Sequence, residues 1–209
     1  MTPSNLPKVS IDVVPLRVLH DGSVQVGLGV RAAEPFKGSA ALPGVLLLGG
    51  EMLNEAGYRA LSSKVGVPES AVRTLGQVAT FDSPTRDPRG HTLSVALFAL
   101  VDPEFEGGNI EWVGLHETGK LPFDHERIIA SAVSLLASRL WIDAEMIYGL
   151  FGDSFSTARA HRTMVQLTGA DVDKSNFNRT LSSSPLLKDT GFSVPVGKGR
   201  PSKIWAVTG

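Results

Sequence analysis

The chain has 209 residues, no cysteine, 42% hydrophobic residues, and 20 lysines and arginines against 21 aspartates and glutamates. Without cysteine there is no disulfide scaffold, thiolate zinc finger, iron–sulfur cluster or cysteine nucleophile, and a reducing, cytoplasmic setting is expected. The longest apolar stretches are far too short to span a bilayer, and the first residues lack the basic-then-apolar layout of a secretion signal, so no membrane partner is expected.

Residues 9–19 and 23–31 alternate apolar and polar side chains around His20-Asp21-Gly22. Asp-Gly between two β-branched runs is a hairpin signal, so two antiparallel strands are predicted. Residues 32–44, with Pro35, Gly38, Pro43 and Gly44, read as loop. Leu53, Ala56, Ala60, Leu61 and Val65 have helical spacing, closed by Gly66. Strands are predicted at about 73–81, 91–101 and 110–114, with a turn-rich insert at 82–90, an order that fits an α+β or α/β sandwich. Asp124 is a candidate N-cap for an amphipathic helix carrying Ile128, Ile129, Ala132, Val133, Leu135, Leu136 and Leu140, expected at a domain junction. Phe155-Ser156-Thr157 opens a second helix stopped by Gly169, and Asp173 caps a third that carries Phe177 and Leu181. Helix, short turn and helix form a helix-turn-helix candidate. Residues 192–196 and 204–207 read as two strands flanking a basic, glycine-rich turn, the layout of a wing.

The net charge of −1 conceals two unlike segments. Beyond Asp153 there are eight lysines and arginines against three aspartates, so residues 154–209 carry +5 and residues 1–153 carry −6. A basic arm behind an acidic body suits a polyanion partner. A recognition helix needs short polar and basic side chains near its N-terminus, where they meet base edges and phosphates. Lys174, Ser175, Asn176, Asn178 and Arg179 fit that need, and Lys198, Arg200 and Lys203 place cations on the wing. These eight residues are the candidate contacts to double-stranded DNA.

Residues 42–67 resemble the Nudix box, G-x5-E-x7-R-E-U-x-E-E-x-G-U with U a bulky aliphatic. Glu51, Arg59, Leu61, Gly66 and Val67 match, and Val45 stands at the first glycine. Ala60, Ser63 and Lys64 replace the three helix glutamates that hold divalent cations in Nudix hydrolases, and hard cations need clustered anionic oxygens. A Nudix fold that does not hydrolyse is therefore expected, with no catalytic residue, cofactor or metal site. The five histidines show no ligand spacing either. Arg31, the Glu34-Pro35-Phe36-Lys37-Gly38 loop and the 82–91 insert, with its Asp87-Pro88-Arg89-Gly90 core, resemble features of Nudix proteins that act on ADP-ribose.

A degenerate Nudix domain followed by a winged helix with Gly199-Arg200-Pro201 is similar to the Nudix-related transcriptional regulators, the NrtR family. The resemblance covers nearly the whole chain. It implies an α+β chain with an N-terminal Nudix-like α/β/α sandwich (1–122), connecting helices (123–153) and a C-terminal winged helix-turn-helix domain (154–209). The implied protein is a homodimeric repressor of NAD-synthesis or salvage genes that binds a palindromic operator and is released by ADP-ribose or a related nucleotide. Carried over by position, Arg31, Glu51, Arg59, Arg86 and Arg89 would line or support the ligand pocket. Guanidinium groups suit a diphosphate because they donate in pairs. An active ADP-ribose hydrolase with a DNA-binding appendage and an arabinose-like, sugar-responsive regulator are the competing readings.

Overall fold

Two sheets organise the chain in the computed structural model, which describes residues 6–196 and 201–208. Strands β1 (Lys8–Val18) and β2 (Val24–Val30) form the expected hairpin, with Leu16 opposite Val26 and Val18 opposite Val24. Gly22 turns the chain at φ 90°, a conformation that glycine adopts without a Cβ clash. The segment 32–44, read as loop, contains the two-residue strand β3 (Ala40–Ala41), and β4 (Gly44–Leu46) starts at its last residue; pairing with β2 and β1 extends the chain there despite its prolines and glycines. Helix α1 (Leu53–Val65) then ends at Gly66, φ 71°. Strands β5 (Val72–Phe81), β6 (Thr92–Val101) and β7 (Glu111–Gly114) complete a seven-stranded sheet of order β3-β2-β1-β6-β5, with β4 joined to β1 and β7 to β2.

β1 and β6 run parallel at the centre of this sheet, and the other pairs are antiparallel. A parallel pair is covered on both faces, which accounts for the nearly unbroken apolar runs in both strands. Ile11 and Val13 pack toward α1, while Val14, Leu16 and Val18 belong to the core on the opposite face. That second face turns polar toward the start of β1, at Ser10 and Asp12.

Helix α2 (His125–Arg139) covers the second face through Ile128, Ala132 and Leu136. Asp124 occupies its N-cap position but makes no cap hydrogen bond. Its carboxylate pairs with Arg86 instead, because a buried guanidinium competes better for it than a helix N–H. The turn Leu140–Ile142 leads into α3 (Ala144–Phe151), whose N-cap Asp143 accepts from the Met146 amide at 3.2 Å.

The C-terminal part holds β8 (Ser154–Ser156), α4 (Thr157–Thr168), α5 (Lys174–Ser183), β9 (Leu187–Val194) and β10 (Ser202–Val207), the strands ordered β8-β10-β9. Ser156 caps α4, Gly169 ends it at φ 64°, and Asp173 caps α5 by accepting from the Asn176 amide at 2.7 Å. β9 begins at Leu187, upstream of the strand read from Phe192. Pairing of Leu187 with Val207 and Lys188 with Ala206 extends it through a Lys-Asp-Thr-Gly run that has no apolar alternation. Trp205 is buried, and its indole donates to Thr157 Oγ1 at 2.8 Å.

One hydrophobic cluster runs from the sheet through α2 and α3 into Ala160, Met164, Leu167, Phe177 and Leu181 of the C-terminal part. At the seam, Trp141 stacks on Phe151 at 5.9 Å and meets Phe177 edge-on at 5.4 Å. A polar clamp adds to this contact. Arg159, Arg162, Thr163 and Gln166 share one face of α4 and grip the β1–β2 turn. Arg159 donates to the carbonyls of Leu19 (3.0 Å), Val18 (2.8 Å) and Phe151 (3.3 Å). Arg162 donates to the Asp21 carbonyl, Thr163 to that of Gly22 (3.1 Å), and Gln166 accepts from the Val24 amide (2.8 Å). Two of the cations counted toward the +5 of the basic segment thus face the β1–β2 turn, whose carbonyls accept their hydrogen bonds.

Candidate functional site

A cavity of about 400 Å³ opens beside the start of β1, walled by the β2–β3 loop, β4, the last turn of α1, the 82–91 insert and the Pro122–His125 segment. Arg31, Lys64, Arg86 and Arg89 line it, against the carboxylates of Asp12 and Asp87. Arg86 forms the floor with a side chain only 4% exposed. It donates to both oxygens of Asp124 (2.7 and 2.9 Å) and to Asp12 (3.2 Å), and Asp12 also accepts from Ser94 at 2.6 Å. Burial alone would lower the Arg86 pKa, but the hydrogen bond to Asp124 and the charge of Asp12 outweigh it and hold the guanidinium above its ordinary value. Ser10 and Ser94 sit opposite each other in the parallel register of β1 and β6, which is how the floor comes together.

The upper wall is cationic and aromatic. The Arg31 guanidinium lies 4.7 Å from the centre of the Phe123 ring and that of Arg89 5.8 Å from it. Arg89 is fastened by Asp87 at 2.7 Å, and this hydrogen bond raises its pKa. Arg31 donates to the carbonyls of Pro35 and Ala33, and burial, followed by the charge of Arg89, depresses its pKa. An anion entering the cavity would relieve that crowding. Phe36 and Phe123 both adopt left-handed backbone, at φ 66° and 58°, and their rings meet edge to face at 5.1 Å. Such conformations cost on the order of 1 kcal/mol or more each and concentrate where a ligand is clamped. His125 is buried below this wall; its Nδ1 accepts from the Leu42 amide at 3.1 Å, and burial lowers its pKa, so the ring is neutral near pH 7.

Of the five pocket residues carried over by position, Arg31, Arg86 and Arg89 line the cavity. Glu51 and Arg59 do not. They pair with each other, Arg59 Nε to Glu51 at 2.6 Å and Nη2 at 2.8 Å, and Glu51 also accepts from the Leu48 amide. The hydrogen bond from Arg59 holds the Glu51 pKa below the ordinary carboxylate range, so the carboxylate stays occupied by its own neighbour. At the other box positions, Ala60 is buried, the Ser63 hydroxyl donates back to the Arg59 carbonyl at 2.6 Å, and Lys64 is exposed toward the cavity. Among the described residues no three histidines, aspartates or glutamates are grouped to hold a metal ion. The side chains at the Nudix metal positions therefore do not fit a divalent cation.

On the C-terminal part, Lys174, Ser175, Asn176, Asn178 and Arg179 are all exposed on α5. The Asn178 amide donates to the Lys174 carbonyl at 2.9 Å, which ties it to its own helix. Lys203 pairs with Asp189 at 2.7 Å, and Lys198 and Arg200 lie outside the described residues. Lys188, exposed at the start of β9, adds a cation that the sequence reading did not single out.

Residues 147–207 match the family model described as the NrtR DNA-binding winged helix domain. The chain is 29% identical over 209 residues to the ADPR responsive transcriptional repressor NtrR of Acinetobacter baylyi, covering 95% of this chain and 81% of that protein. Residues 147–207 therefore form a winged helix of the NrtR DNA-binding type. Two further likenesses bear on parts of the chain. An ADP-ribose pyrophosphatase of Methanocaldococcus jannaschii is 36% identical over 104 residues, or 47% of this chain, which spans only 60% of that enzyme. The crystal structure of Shewanella oneidensis NrtR complexed with a 27mer DNA shares the fold, with a TM-score of 0.72 at 23% identity over 96% of this chain and 93% of that one.

Asp12, Phe123 and His125 are the site residues that the family motifs did not point to. Each is isolated in sequence and reaches the cavity through the sheet or the α2 entry. Among the described residues, no helix is long and apolar enough to cross a membrane.

Proposed function

We propose that this protein is a DNA-binding transcriptional repressor, released when ADP-ribose or a related nucleotide enters a Nudix cavity that binds without hydrolysing. The observation that carries this reading is the cavity wall: four cations and an aromatic ring gather there, while Ala60, Ser63 and Lys64 stand where hydrolysis needs carboxylates. Guanidinium groups recognise a diphosphate and Phe123 offers a face to a base or ribose. The repressor relative and the winged-helix match support the DNA half. A homodimer on a palindrome, regulating genes of NAD synthesis or salvage, completes the proposal.

The test is a mobility shift with the DNA upstream of the protein's own gene, at several salt concentrations. Lys174→Ala is expected to weaken binding on every sequence and to flatten the log–log salt slope by about one unit, whereas Asn176→Ala alters base preference. Identical behaviour of the two variants would refute that division, and no retardation at low salt would overturn the DNA assignment.

The likeness to an ADP-ribose pyrophosphatase favours hydrolysis as a second reading. Sustained magnesium-dependent AMP release from ADP-ribose, abolished in Glu51→Gln, would establish it.

A further inference from the structure

We infer that Lys64 binds the diphosphate of the effector, its ammonium supplying the positive charge that divalent cations supply in a hydrolysing Nudix pocket, so that effector binding is independent of metal. This rests on the reading of the effector as a nucleotide with a diphosphate, and it adds a residue and a metal requirement that the motif alone does not give.

Lys64 lies in the last turn of α1 at the second position of the Glu-Glu pair of the box, and it lines the same cavity as Arg31 and Arg89. The four lining cations are not equivalent. Arg86 is committed to Asp12 and Asp124, and Arg89 to Asp87. Among the described residues, no carboxylate lies within 4.0 Å of the charged groups of Lys64 or Arg31. These two side chains bring charge that is not tied up in an ion pair, Arg31 from the end of β2 and Lys64 from α1. β2 and α1 are in close contact here: a Cβ added at Gly29, two residues before Arg31, would lie 2.6 Å from Val65 and 3.7 Å from the Lys64 carbonyl.

A magnesium ion asks for an octahedron of oxygens at about 2.0–2.1 Å, usually including one or two carboxylates. The lining carboxylates, Asp12 and Asp87, are already bound by guanidinium groups, Glu51 is held by Arg59, and an ammonium occupies the ligand position. A cation would be repelled where a diphosphate is attracted. Replacing the glutamate with lysine thus does more than disable hydrolysis: it changes the sign of the wall. An ammonium on a flexible four-carbon stem follows a phosphate group without demanding fixed coordination geometry.

The experiment is calorimetric titration of the full chain with ADP-ribose, once in EDTA and once in magnesium chloride, for the wild type, Lys64→Met and Lys64→Arg. Lys64 is exposed, so the variants fold, and an unchanged thermal midpoint checks this. The expected results are equal wild-type affinity in both buffers, at least tenfold weaker binding by Lys64→Met in both, and recovery to within threefold in Lys64→Arg. Wild-type binding that requires magnesium, or Lys64→Met binding as tightly as the wild type, would overturn the inference while leaving ADP-ribose as the effector. No heat from ADP-ribose in either buffer would overturn both.

Discussion

Replacing Arg86 with methionine is expected to remove about 3–5 kcal/mol of folding stability, because it leaves the buried Asp12 and the half-buried Asp124 without their partner. Arg86 is the member that neutralises both: Asp12 is 7% exposed, and Asp124 accepts two hydrogen bonds from the one guanidinium. Methionine fills the volume but donates nothing, and Ser10 and Ser94 cannot compensate two negative charges. For a chain of this size the loss corresponds to a fall in Tm of roughly 10 °C. Arg86→Lys should rescue only part of it, since a single ammonium cannot reproduce the two-pronged contact with Asp124. Urea unfolding of the three proteins measures this directly. A loss below about 1 kcal/mol, the ordinary range of exposed ion pairs, would show that the floor of the cavity is solvated and not the buried network described.

Arg159→Ala is expected to leave DNA binding in place while separating it from the effector. β1 carries Asp12 in the cavity wall and ends at Val18, whose carbonyl Arg159 holds. At about 3.3 Å per residue those positions are roughly 20 Å apart, so a rigid parallel strand connects the ligand site to the first helix of the helix-turn-helix. Removing the guanidinium strips donors from Val18, Leu19 and Phe151 and loosens the grip on the hairpin. Allosteric coupling commonly amounts to about 5–150-fold in affinity. In Arg159→Ala the effect of saturating ADP-ribose on DNA affinity should shrink to less than about threefold, a small remnant of that range. Gly22→Val attacks the same clamp from the other side: φ is 90°, and a Cβ there would lie 2.6 Å from the Arg159 carbonyl. Fluorescence titrations of labelled DNA with and without ADP-ribose check both variants. Full retention of the effector response in Arg159→Ala would exclude this route.

Local signals carried most of the architecture. The Asp21-Gly22 hairpin, the Gly66 end of α1, the Gly169 turn and the Asp173 cap are dictated by neighbours within a few residues, and all stand where the sequence places them. The loss of acid at Ala60, Ser63 and Lys64 was equally plain. What escaped depends on long-range pairing. Ser10 and Ser94 meet because β1 and β6 run parallel, and nothing in either strand announces that register. Asp124 looked like a helix cap because its other partner, Arg86, lies 38 residues away. Arg159 and Arg162 looked like charge for a polyanion, since counting charges does not say which face of α4 they occupy. The Glu51–Arg59 ion pair, by contrast, was open to the sequence as the alternative to a role in the pocket, and the two side chains do close on each other.

The most direct test is the DNA affinity of the wild-type chain, measured at one fixed salt concentration against increasing ADP-ribose in EDTA, with nucleotide products assayed in the same samples. The expected result is a fall of about tenfold or more in DNA affinity, matched by an equal weakening of ADP-ribose binding when DNA is saturating, with the ADP-ribose recovered intact. Unchanged DNA affinity at saturating ADP-ribose, or steady conversion of the nucleotide to AMP, would contradict it.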